Sequence, residues 1–126
     1  MKFVLYQNFI YICMKLLNLK IVKKHLNKNR GNYPLQISYK NLIEEFSTAN
    51  CLTHLEFKKI RPDADNVYEY RCFFLDLTSH RTLVQVDYIE NSVKFMWIGT
   101  HDNYVSTFRG NKKTIERYIH NKNREI

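Results

Sequence analysis

The chain has 126 residues, enough for one domain with one modest core and no second. Its 44% hydrophobic and 14% aromatic content exclude a chain that stays disordered. Lys and Arg number 20 against 12 Asp and Glu, a net charge of +8 that favours anionic partners, nucleic acid first and anionic membrane second. In chain order, residues 3–13 (FVLYQNFIYIC) are apolar but interrupted by Gln7 and Asn8. The run is shorter than the about 20 residues of a membrane span, and MKLLNLK offers no small-residue cleavage site for a signal peptide. Met14 is a second plausible start. Residues 1–13 are therefore expected to be an N-terminal extension or a misassigned start, with a single domain from 14 to 126.

Leu16 to Leu19 reads as a short strand. From Lys20, KIVKKHLNKN turns helical, with Ile21, Val22 and Leu26 apolar among lysines. Arg30-Gly31-Asn32 is a turn, Gly31 suiting a helix C-terminal cap, and Pro34 suits the first turn of a second helix running to about Phe46. The two helices are expected to form a hairpin. Residues 47–66 form a connector with a small amphipathic piece, closed by the turn chemistry of Arg61-Pro62-Asp63-Ala64-Asp65-Asn66. Three strands follow, Val67 to Leu77, Thr82 to Tyr88 and Val93 to Thr100, joined by stretches short enough for antiparallel hairpins. A last helix, about 112–121, presents Ile115, Tyr118 and Ile119 on one face. The expected class is α+β, with an N-terminal helical hairpin on one face of a small antiparallel meander and an extra C-terminal helix.

Cys13, Cys51 and Cys72 are odd in number and widely spaced, which fits free thiols in a reducing cytosol better than a disulfide framework. The five histidines make no metal-ligand spacing, and no metal or cofactor is expected. Asp63 and Asp65 read as turn formers rather than acids, the glycines stand alone, and no serine lies in a nucleophile elbow. What is left is cations, His and Tyr, which suit phosphoryl chemistry on RNA. There the ribose 2′-hydroxyl attacks the adjacent phosphate, so the protein needs no nucleophile of its own. It must move two protons and hold the charge on the phosphate. The strand VKFMWIGT stops on Gly99 and delivers His101 and Tyr104 together to the sheet's rim; His is the side chain most easily tuned near neutral pH. Arg81 opens an apolar strand and can offer a bidentate fork to a phosphate, although spacing alone favours a solvated edge-strand Arg. Lys58, Lys59 and Arg61 cluster before Pro62, a pattern that usually marks a solvated face. His80 can equally be a hairpin residue.

Three segments, FKKIRPDADNV (Phe57 to Val67), HRTLVQVDY (His80 to Tyr88) and IGTHDNY (Ile98 to Tyr104), resemble the HigB family of mRNA interferase toxins, a branch of the RelE/ParE-like toxins. Members typically read K-x-x-[FY]-P-S-A-D before the meander, Y-R-L opening its second strand, and I-R-F-x-G-T-H-x-x-Y-D at the end of its third. The similarity covers roughly residues 14–105, and Gly-Thr-His-x-x-Tyr is its most specific element. It implies a RelE-like fold and a metal-independent endoribonuclease that cuts mRNA on the ribosome, in the cytoplasm and away from membranes. It also implies a cognate helix-turn-helix antitoxin as partner. Carried over residue by residue, Arg81 would bind the phosphate, His101 and Tyr104 would complete the catalytic set, and Lys58 or Lys59 would be the basic residue before the Pro turn. Arg61 and His80 join them as RNA-binding candidates. The family's strand Arg falls on Met96, its final Asp on Val105, and its Gly-Asn turn on Leu77-Thr78. Arg61 or Lys94 could supply the missing charge. The alternative is a catalytically impaired relic of the same fold that binds nucleic acid or antitoxin.

Overall fold

The computed structural model describes the backbone of residues 3–6, 9–12 and 14–124, with side chains from Met14 to Arg124. Strands β1 (Phe3–Tyr6) and β2 (Phe9–Ile12) pair with each other as an antiparallel ribbon. The reading of residues 1–13 as an extension or misassigned start, and the free thiol of Cys13, lie outside the residues whose side chains are described.

The domain is α+β, as the sequence leads one to expect. Strand β3 (Lys15–Leu17) is followed by α1 (Leu19–Lys28), α2 (Tyr33–Ser47) and α3 (His54–Ile60). Then come β4 (Asp65–Tyr68), β5 (Cys72–Leu77), β6 (His80–Asp87) and β7 (Ser92–Thr100), and finally α4 (His101–Phe108) and α5 (Lys112–Arg124). Capping residues set the helical hairpin: the Asn32 side chain accepts from the Leu35 N–H, with Pro34 in the first turn. Thr53 caps α3 in the same way through Glu56 N–H.

Four features differ from the sequence-based picture. Asn18 adopts a left-handed conformation, which ends β3 after Leu17 and starts α1 at once. Strand β3 pairs in parallel with β7, so the five-stranded sheet, in order β3-β7-β6-β5-β4, is mixed rather than purely antiparallel. The expected strand 67–77 is two strands, separated by a turn in which Glu69 and Tyr70 both take positive φ. Residues 101–108, for which the sequence suggests no element, form a helix.

Both faces of the sheet are covered. Phe73, Leu75, Leu77, Val84, Val86, Val93 and Phe95 pack under the first three helices, with Leu35, Leu42, Phe46 and Phe57. Cys72, Phe74, Leu83 and Met96 pack under α4 and α5, with Phe108, Ile115 and Ile119. A β-bulge shapes the second face: Val84 opposes Phe95 and Leu83 opposes Trp97, so Met96 is the extra residue. Phe95 faces the first layer, and beyond the bulge the alternation is reversed, so Trp97 turns toward α4 and Ile98 toward α1 and α2. The end of β7 thereby feeds α4 onto the face that carries Arg81.

Candidate active site

The hairpin β5–β6 closes on the two residues Thr78 and Ser79, and it sets Asp76 directly opposite Arg81. Arg81 Nε donates to Asp76 Oδ1 at 3.0 Å, which fixes the guanidinium against the sheet. Its carbon then lies 4.8 Å from the centre of the Tyr104 ring and 5.3 Å from that of Phe74. An aromatic cluster of Phe74, Trp97 and Phe108 holds Tyr104, the Phe74 ring meeting it edge-on at 4.9 Å.

Helix α4 starts on a reciprocal cap. Thr100 Oγ1 accepts from Asn103 N–H, and Asn103 Oδ1 accepts from Thr100 N–H. That cap puts His101 and Tyr104 on one helical face, their rings near-parallel with centres 6.1 Å apart. Gly99 is required just before it, because the Trp97 indole lies across the position a Cβ would occupy, at 2.6 Å. His101 is exposed, and it opens with Arg81, Asp76, Thr78, Ser79 and His80 onto a cleft of about 500 Å³ at the end of the sheet.

His80 enters that cleft from the other side of the sheet. It is 5% exposed, its Nδ1 lies 3.1 Å from Ser79 Oγ, and its Nε2 has no hydrogen-bond partner. The His25 ring of α1 meets it edge-on at 5.1 Å. Burial holds both imidazoles below the ordinary range, and for His25 the neighbouring His80 and Lys28 add to that effect. Both therefore favour the neutral form. His25 is a residue that sequence reasoning missed; a lone His in a lysine-rich helix carries no signal until the fold brings it to His80.

In the basic cluster before Pro62, Arg61 is engaged by neighbours on several elements. Arg61 reaches Glu45 at 3.0 Å, both oxygens of Asp63 at 2.8 and 2.9 Å, and the Asp76 carbonyl at 2.9 Å. Asp63 in turn accepts from Asp76 N–H. These bonds fasten the turn after α3 to α2 and to the end of β5, just behind the Asp76–Arg81 pair. Arg61 is thus committed to structure. Lys58 donates to the Ala64 carbonyl across the same turn, while Lys59 is exposed. Lys94 is paired opposite Gln85, about 15 Å along β7 from Gly99, and reaches toward Asn123. Neither Arg61 nor Lys94 supplies a second charge to the cleft. Met96, where the family resemblance places an Arg, is 3% exposed beneath α5.

Burial pushes the Cys51 thiol up to about 11 and that of Cys72 up to about 12, so both stay protonated and unreactive at neutral pH. Among the described residues, no three His, Cys, Asp or Glu side chains gather as a metal site, and no helix is long and apolar enough to cross a membrane.

A family model described as HigB toxin, the RelE-like toxic component of a toxin-antitoxin system, matches residues 36–106. The chain belongs to the HigB toxin family. No curated protein matches it significantly. The matched segment runs from the first turn of α2 into α4 and contains Arg81, His101 and Tyr104; β3, α1 and α5 lie outside it. As the toxic component of such a pair, this HigB-family chain has an antitoxin as its partner.

Proposed function

We propose that this HigB-family toxin is a metal-independent endoribonuclease that cleaves mRNA on the ribosome, in the cytoplasm. The observation that supports it best is the stacked set at the cleft: a guanidinium fixed over Tyr104, with His101 beside it. In this reading the scissile phosphate sits on the guanidinium donors that Asp76 leaves open. The 2′-hydroxyl attacks that phosphate, the bond to the 5′-oxygen breaks, and a 2′,3′-cyclic phosphate and a 5′-hydroxyl result. One proton leaves the 2′-oxygen and one reaches the 5′-oxygen. His101 handles proton transfer, and Tyr104 places the nucleotide or shares the transfer. Arg81 stabilises the charge that grows on the phosphate. Lys59 and His80 lie at or near the RNA path, and the partner that blocks this site is a helix-turn-helix antitoxin.

Met96 favours a second reading, a non-catalytic relic that binds nucleic acid or antitoxin. Its thioether lies under α5 where the family resemblance places a cation, so the cleft relies on Arg81 for its positive charge. Expression without antitoxin separates the two. Growth arrest with shortened transcripts, abolished by Arg81→Ala, is the expected outcome. Unchanged growth and intact transcripts, with folded protein present, would establish the relic.

A further inference from the structure

A second groove runs along the outer edge of β7. Strand β3 covers only Ser92, Val93 and Lys94 of that edge. Beyond it, side chains meet the edge carbonyls: Asn18 donates to Phe95 O at 2.8 Å and Tyr118 to Met96 O at 3.3 Å. Helix α1 then forms one wall and α5 the other. Lys24, His25 and Lys28 face the groove from the first, Tyr118 and Lys122 from the second, and Trp97 lies between. Its volume is about 300 Å³, and no carboxylate lines it. The cleft on the far side of α5 contrasts with it, carrying Asp65, Glu69 and Glu116.

Three features give this groove a direction and a chemistry. Helix α1 has no acidic residue, and Lys20, Lys24 and Lys28 recur every four positions, about 6 Å apart along the axis. That is the scale on which successive phosphates of an extended strand follow one another. Trp97 and Tyr118 supply aromatic surface between cations, the combination that holds single-stranded nucleic acid without reading its sequence. The groove also leads to the candidate active site: His25 lines it and touches His80, which lines the Arg81 cleft, and Trp97 and Ile98 run directly into Gly99-Thr100-His101.

We infer that the α1–α5 groove binds the substrate RNA strand where it leaves the cleavage cleft, its phosphates on Lys24, Lys28 and Lys122 and its bases against Trp97 and Tyr118. Both walls lie outside the segment that matches the family. The inference rests on the endoribonuclease reading, so its test needs a readout without cleavage. The probe is a fluorescent single-stranded 2′-O-methyl oligonucleotide, which lacks the attacking hydroxyl, titrated by anisotropy at several salt concentrations. Lys24→Ala/Lys28→Ala is compared with Lys40→Ala/Lys113→Ala, which removes the same charge from exposed positions outside the groove. The groove variant should weaken binding about tenfold and lower the salt dependence by about 1.4 in slope, the equivalent of two phosphate contacts. The control pair should leave the slope unchanged.

Equal losses in the two variants would reduce the groove to general surface charge and overturn the proposal. So would unaltered oligonucleotide binding with weakened antitoxin binding, which would give the groove to an acidic antitoxin segment, or a preference for a duplex hairpin over the single strand. If the wild-type toxin cuts no RNA but the slope difference persists, the groove stands and the endoribonuclease reading falls.

Discussion

Arg81 commits its Nε to Asp76 and presents the remaining donors above the Tyr104 ring. Arg81→Ala should lower single-turnover RNA cleavage by about 10²–10³, the usual effect of losing one donor to a developing negative charge. Arg81→Lys should recover little, because an ammonium cannot serve both Asp76 and a phosphate as a fork does. His101 stands exposed in the first turn of α4, its ring touching only Tyr104 among the aromatic contacts of the described residues. His101→Gln should therefore leave melting temperature and RNA affinity nearly intact while cleavage falls by about 10²–10⁴. A joint loss of stability and binding would make it a structural His instead. At this scale it was the family resemblance, and not spacing, that singled out Arg81, His101 and Tyr104, which the fold brings side by side. Arg61 was ambiguous for a physical reason: a cation beside a turn looks the same in sequence whether it meets solvent or acceptors on three neighbouring elements.

The elements were legible where their signals are local. Pro34, Asn32 and the Pro62 turn mark the helical hairpin and its exit, and apolar alternation marks the meander. The break between β4 and β5 was not, since Glu69-Tyr70-Arg71 contains none of the residues that usually announce positive φ. Helix α4 was missed because its cap pairs Thr100 with Asn103 where the usual signature has Glu or Gln. The β7 bulge left no mark in the sequence, yet it decides which face Trp97 and Gly99 join. Gly99→Ala should destabilise the domain by about 1–3 kcal/mol in urea denaturation, since the added methyl collides with the Trp97 ring. Trp97→Leu/Gly99→Ala should cost less than the sum of its singles. Arg61→Ala should lower stability by about 2 kcal/mol, through loss of charged hydrogen bonds that reach α2, the Pro62 turn and β5. An RNA-contact role would instead leave stability unchanged and weaken only binding.

Across the whole molecule, His25 and His80 couple the helical layer to the end of the sheet, and both are held toward the neutral form. In the unfolded chain each titrates near 6.5. Below that pH the unfolded state binds more protons than the folded state, so stability falls as pH drops and is fully retained above it. Melting temperature should decline from about pH 7 toward pH 5, and His25→Asn/His80→Gln should flatten that decline. Profiles that match across this range would show that the pair does not titrate with folding. The α+β class was legible at this scale, whereas the parallel β3–β7 pairing was not. The short strand itself was read at Leu16 to Leu19, but its partner, Ser92 to Lys94, lies far along the chain, and no local signal names it.

That pairing also has a consequence in time. Residues 15–17 wait for residues 92–94 before the sheet can take its final order, and the helix bearing His101 and Tyr104 follows immediately after. A chain emerging from its own ribosome can form the helical hairpin and the β5–β6 turn early, with Arg81 already facing Asp76. The other half of the site, on α4, follows β7 near the far end of the sequence, and the β3–β7 pairing that completes the sheet closes a long loop, a step whose entropic cost makes distant pairing slow. The two halves of the candidate site therefore come together only when nearly the whole chain has been made.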